Sequence, residues 1–220
     1  TDWLGRNMFY RTLTGLSMSI LIGVLAAGVS AVMALILGIC AATLGKKVDS
    51  AISFAIDTVM GIPHILLLIL ISYAMGKGLK GVIAGVALTH WTSLARLIRG
   101  EVMQLRESEY IQIAGKLGLG KWEIAKKHIV PHVLPQFIVG LVLLFPHAIL
   151  HESSITFLGF GLSTEQPAIG VILSESMRYL IMGKWWLAVF PGMMLVLTVV
   201  LFEKGGTALR QLLDPGSVHK

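Results

Sequence analysis

Charge is what this chain has least of. Only 14% of its 220 residues are Asp, Glu, Lys or Arg, whereas 55% are hydrophobic. A water-soluble domain carries nearer a quarter charged, and a globular core of this size has no room for so much apolar surface. The composition therefore points to an all-α integral membrane protein. Cysteine is almost missing. The single Cys40 lies in an apolar run, so no intrachain disulfide is possible. No phosphate-binding Gly-x-x-x-x-Gly-Lys-Ser/Thr loop occurs, and Gly76-x-Gly78 lacks the residues that would complete one, so the chain is not itself an ATPase. No Ser stands in a nucleophile-elbow context, which sets a hydrolase aside. Internal repeats, low-complexity tracts and a signal-peptide pattern are also lacking. The first residue is Thr1, which reads as a fragment or processed chain with an N-terminal element expected before it. The net charge of +6 calls for no nucleic acid, because Lys and Arg collect in the cytoplasmic loops of membrane proteins.

What is present is a series of long apolar runs. Spans are expected at about 16–44, 52–75, 82–97, 134–158 and 185–202, in one transmembrane unit covering 1–220. In the first, Gly15, Gly23, Gly28 and Gly38 offer small faces for close helix packing. Pro63 predicts a kink in the second. The third reads as short, ending in Trp91, Arg96 and Arg99 at an interface. The polar and aromatic start, with Trp3, Phe9 and Tyr10 beside Asp2, Arg6 and Arg11, suits an interfacial lead-in. Placing the Lys46 turn, Arg96 and Arg99 with the loop 101–131, and the C-terminal tail on one side puts twelve of the eighteen Lys and Arg there. That side is expected to be cytoplasmic, with Thr1 starting outside.

The segment 101–135 is the one long water-facing stretch between apolar halves. Tyr110, Ile113, Ala114 and Leu117 recur at helical spacing, Gly118 and Gly120 stop that helix, Trp122 to Ile129 begins another, and Pro131 is expected to break it. Such a helix suits either a groove on a partner protein or the lipid surface.

The residues of this stretch carry a resemblance. Gln112-Ile113-Ala114, Gly118 and Val130-Pro131 resemble the EAA loop of ABC importer permeases, which runs Glu-Ala-Ala, three residues, Gly, nine residues, Ile-x-Leu-Pro. The chain departs at Gln112, Ile113, His128 and Val130 and agrees at Ala114, Gly118 and Pro131. The flanks are similar to the peptide/nickel subfamily: Thr1-Asp2-x-x-Gly5-Arg6 (with Asn7 for the final Asp), Trp91 with Ala95-Arg96 and Arg99, the run Ser154 to Gly161, and Leu213-Asp214-Pro215. The resemblance implies a type I importer transmembrane domain in a bacterial inner membrane, with a cytoplasmic C-terminus and a family N-terminal span absent from this chain. It implies a heterodimer with a second permease, two ATP-binding subunits that hold ATP and Mg, and an extracytoplasmic binding protein. This chain would bind no cofactor. Gln112, Ile113, Ala114, Gly118 and Pro131 would form the ATPase-coupling contact.

The substrate reading rests on His147, His151 and Glu152. The two histidines stand at i and i+4 and share one helix face, and Glu152 follows on a neighbouring face. Ionisable groups inside a membrane tend to line a pathway or pair with one another, and imidazole suits nickel and similar metals. Their bland reading is backbone hydrogen bonding, with Glu152 paired to a cation. Nickel-type members resemble this chain in carrying His-x-x-x-His before Ser-Phe-Leu-Gly. That resemblance makes nickel or a nickel chelate the expected cargo, with His147 and His151 as transient metal ligands, and a di- or oligopeptide the alternative. An ion-coupled secondary transporter using Asp57, His147 and Glu152 is more remote. His64 reads as a packing residue, and Asp57, His64 and His90 show no shared face that would make a relay.

Overall fold

The computed structural model describes residues 1–2 and 4–213, with Lys121 described for its backbone only. Trp3, Asp214, Pro215 and Lys220 lie outside the described residues. All regular structure among the described residues is helical. The order is α1 (Met8–Thr43), α2 (Lys46–Gly61), α3 (His64–Ala74), α4 (Gly78–Glu107), α5 (Glu109–Lys116), α6 (Lys121–Ile124), α7 (Val130–Phe157), α8 (Ile169–Leu180) and α9 (Trp186–Leu213), with a π-helical turn at Ala125–Ile129 joining α6 to α7. Helices α1, α4, α9 and the composite Trp122–Phe157 are each long and apolar enough to cross a membrane.

Four sequence expectations need correction. The second span is not a kinked rod: α2 and α3 meet at 100°. The cause is local, because Pro63 disfavours helical backbone at the residue before it, and Ile62 is extended at φ −92°, ψ 136°. The third span is not short. It continues to Glu107, so the first residues of the expected loop 101–131 extend the helix. Trp91 accordingly is not interfacial but buried, its Nε1–H donating to Leu88 C=O at 3.0 Å. Pro131 does not break the chain, because the wider π turn directly ahead of it absorbs the bond that proline cannot make; Val130 N–H reaches back to Ala125 C=O. Of the small residues in α1, Gly15, Gly23 and Gly38 approach α8, α7 and α4, whereas Gly28 has nothing beyond it.

Helices α1, α4 and α7 form the centre, with α3 against α4, and α8 and α9 against α7. Largely alanine and β-branched or leucine side chains fill it, including Ala26, Ala31, Ala34, Ile98 and Ile149, all fully buried. Small residues let backbones approach where lipid supplies no hydrophobic drive between helices. The oblique α2 is fastened to α4 by charge instead. Arg99 holds Asp49 through two hydrogen bonds at 2.5 and 2.7 Å, and Arg96 holds Asp57 at 2.7 Å. Arg99 and Asp49 are about a quarter exposed, so their pairing is not fully screened. Arg99→Met is expected to destabilise the fold by about 1–3 kcal/mol by stranding Asp49. The double change Asp49→Leu with Arg99→Met should recover part of that loss. Additive losses in detergent melts of the four proteins would show that the pair does not couple.

The N-terminal lead-in is an anchored turn. Asp2 is buried and accepts from the amides of Leu4 and Arg6 at 2.9 and 2.8 Å and from Arg6 Nε at 2.7 Å. Burial raises the Asp2 carboxyl, but the hydrogen bonds from the Arg6 side chain and the two amides outweigh it and hold the group below its usual value. Arg11 then bridges Asp2 to Glu175 on α8.

Candidate functional site

Two places stand apart from the packed centre. The first is a cleft of about 630 Å³ where the α2–α3 break faces α4 and α7. Ile62 and Pro63 form one wall, Thr89, His90 and Ser93 another, and Leu144, His147 and His151 a third. Non-helical backbone at membrane depth is tolerated where it is buried in protein or lines a cavity. The break satisfies that condition here, and it also turns His64, the first residue of α3, into the cleft.

His147 and His151 both line this cleft, as their shared face on α7 predicts. Glu152 does not. It is fully buried, with Oε1 accepting from Thr156 Oγ1 at 3.0 Å, Oε2 from Ser153 Oγ at 3.2 Å, and a further hydrogen bond from Ser19 of α1. Its partners are hydroxyls, not the cation of the bland reading, and it stands apart from the cleft residues with which the substrate reading grouped it. The Thr156 oxygen in turn accepts from Leu162 N–H at 3.2 Å. Glu152 thereby holds the turn that follows α7, where a Cβ on Gly161 would lie 2.2 Å from Thr156 Oγ1. Close packing on Thr156 thus explains Gly161, whereas Gly159 is explained by its left-handed φ of +83°.

Sequence reasoning missed His64 and His90. Both stand in the cleft with His151, the three ring centroids 4.5–5.0 Å apart. No spacing rule could have joined them, because they come from α3, α4 and α7. Asp57, by contrast, is turned toward Arg96.

The second place is α5. Its apolar stripe divides. Ala114 and Ile111, three residues before it, are buried; Tyr110, Ile113 and Leu117 are exposed, as is Trp122 just beyond. Gln112 Nε2–H donates to Glu107 C=O at 3.1 Å, tying α5 to the end of α4. Gly118 has φ +91° and closes the helix: Gly118 N–H donates to Gly115 C=O at 3.1 Å and Leu119 N–H to Ala114 C=O at 3.2 Å. This is the Schellman arrangement, which favours glycine at the left-handed position. The expected contact set is therefore split. Ile113 presents an apolar side chain outward, Ala114 packs inward, Gln112 and Gly118 set the helix's position, and Pro131 begins the return helix.

Helices long and apolar enough to cross a membrane surround a cleft lined in part by polar side chains and are joined to a short helix with an exposed apolar face, an arrangement suited to a transport permease. The chain belongs to the family described as the binding-protein-dependent transport system inner membrane component, which it matches over residues 34–217. It is 34% identical over 215 residues to the dipeptide transport system permease protein DppC of Bacillus subtilis, covering 98% of this chain and 67% of that protein. It is 33% identical to the oligopeptide permease OppC of the same organism, covering 98% and 70%. The probable D,D-dipeptide permease DdpC of Escherichia coli is 31% identical, covering 98% and 72%. Among solved structures, an inward-facing MetNI methionine ABC transporter has a TM-score of 0.76 at 16% identity, covering 94% of this chain and 98% of that chain. An amino acid ABC transporter crystallised with histidines has a TM-score of 0.67 at 17% identity, covering 92% and 94%. The fold is that of type I ABC importer permeases, and the chain is an ABC importer permease subunit of the inner membrane. Family membership replaces the ion-coupled reading, and the separation of Asp57 and Glu152 from His147 removes its relay.

Proposed function

We propose that this chain forms half of the translocation path of an ATP-driven importer for di- or oligopeptides. The carrying observation is its similarity, along nearly its whole length, to dipeptide and oligopeptide permeases. A cleft of about 630 Å³ is within the ordinary size range for a small organic ligand. The reading pairs this chain with a second permease, two ATP-binding subunits and an extracytoplasmic binding protein, and puts α5 and the C-terminus in the cytoplasm. The exposed face of Tyr110, Ile113 and Leu117 is the part an ATPase subunit grips.

Nickel or a nickel chelate is the second reading, favoured by the imidazoles of the cleft. Uptake of a radiolabelled dipeptide and of radiolabelled nickel separates the two in cells that express the assembled transporter. Dipeptide uptake that depends on this chain is the expected result. Nickel uptake that unlabelled peptides leave untouched would replace the peptide reading with the metal one.

A further inference from the structure

The three cleft histidines are arranged as ligands rather than as packing. His64, His90 and His151 each offer a ring nitrogen, and these nitrogens all lie within 4.8 Å of one another. Three nitrogens bound tetrahedrally at about 2.0–2.1 Å from a metal stand roughly 3.4 Å apart, so small rotamer changes would close the set. Two of the nitrogens, His64 Nε2 and His90 Nε2, are buried with no hydrogen-bond partner among the described residues. Such atoms are costly in a protein interior unless something binds them.

His90 Nδ1 lies 3.0 Å from Val86 C=O and 3.1 Å from Thr89 Oγ1, whose own hydrogen can go to Gly85 C=O at 2.9 Å. With Nδ1 donating to the Val86 carbonyl, Nε2 is left as the ligand atom. An imidazole that donates its other N–H to a backbone carbonyl is the usual outer-shell arrangement of a metal-bound histidine. His90 itself is only 8% exposed, which holds the ring in one orientation.

The donor set selects a class of ion. Neutral imidazoles suit nickel, zinc, copper and iron and give little to magnesium or calcium, which prefer oxygen. No carboxylate lines the cleft, so an ion held there keeps its full charge unless its own ligands offset it. Three protein ligands leave coordination positions free for such ligands. His147, on the same face of α7 one turn away, extends the imidazole surface along the cleft.

We propose that His64, His90 and His151 form a transient binding site for a divalent transition metal in the translocation path, so that the cargo is a metal held by a small anionic chelating ligand such as a peptide. This deepens the reading of the cleft as the permease's path and rests on it. A chelated metal is compatible with similarity to peptide permeases, because the peptide supplies the negative charge and the cleft supplies the imidazoles.

The test uses the full-length transporter, assembled in nanodiscs with a histidine-free affinity tag, stripped with EDTA, and equilibrated with Ni²⁺, Zn²⁺ or Mg²⁺. The expected result is one Ni²⁺ or Zn²⁺ retained per copy of this chain and no Mg²⁺, with an X-ray absorption shell of imidazole nitrogens at about 2.0–2.1 Å. His90→Asn and His151→Asn should each weaken retention more than tenfold, with unchanged thermal melts showing intact folding. His132→Ala, outside the cleft, should leave it unchanged. Equal retention by wild type and a His64→Asn/His90→Asn/His151→Asn variant, or none by the wild type, overturns the site. Peptide-stimulated ATP hydrolysis, measured on the same samples, keeps the two claims apart. Stimulation without metal retention defeats the site and leaves the peptide reading standing. Retention without stimulation supports the site and counts against the peptide reading.

Discussion

Replacing Gly118 by Arg is expected to reduce uptake to background while the permease still inserts and assembles. Gly118 sits at φ +91°, where an L side chain costs about 1–2 kcal/mol. The two hydrogen bonds that end α5 depend on that conformation. Nothing lies within 4 Å of where its Cβ would be, so the substitution does not damage the packed centre. Its effect falls on the direction in which α5 is held, and therefore on the presentation of Ile113 and Leu117. Basal ATP hydrolysis should persist and lose its response to loaded binding protein. Gly118→Ala is expected to be milder than Gly118→Arg. Wild-type uptake by Gly118→Arg at equal membrane abundance would falsify the coupling role of α5. Ile113→Asp provides a second view of the same face, expected to uncouple without any backbone strain. Ala114→Asp, at a buried position, should instead lower the amount of folded protein.

The other large effect is expected at Glu152, and it concerns stability rather than passage of cargo. Glu152→Leu removes the acceptor for Thr156, Ser153 and Ser19 at a fully buried position. Hydroxyls left without partners cost about 1–3 kcal/mol each, so the loss is expected to reach about 2–4 kcal/mol after some re-pairing with backbone. The turn around Gly161 should loosen with it. Glu152→Gln keeps an oxygen in place and is expected to retain both fold and uptake. If Glu152→Gln melts like wild type yet loses uptake, the carboxylate acts on the cargo, and its assignment to the α7 turn is mistaken.

These expectations depend on features of unequal legibility. The apolar runs of α1, α7 and α9 are visible one residue after another, because lipid imposes the same demand on every exposed position of a span. The role of Gly118 is equally local. A helix end needs a left-handed residue, and the hydrogen bonds involved reach only five residues back. The i, i+4 pairing of His147 with His151 is also a one-helix property, and both do line the cleft.

Other features needed the packed molecule. Pro63 foretells a disturbance, but a 100° turn depends on what receives α2 and α3 on either side. Here the Arg99–Asp49 and Arg96–Asp57 pairs hold α2 against α4. The apolar stripe of α5 is one surface in projection and two in space, because the body of the protein covers Ala114 and leaves Ile113 bare. The start of the chain, with its aromatic residues, reads as interfacial, and only the structure shows that it also forms an aspartate turn fastened to α8. Hydropathy and helical period thus settle that the chain is a helical membrane protein with a short amphipathic helix between its apolar halves, since both are set by neighbours within a turn. The meeting of His64, His90 and His151 was settled only by how three helices cross. Residues 64, 90 and 151 share no periodicity, and a broken helix had to turn the first of them toward the other two.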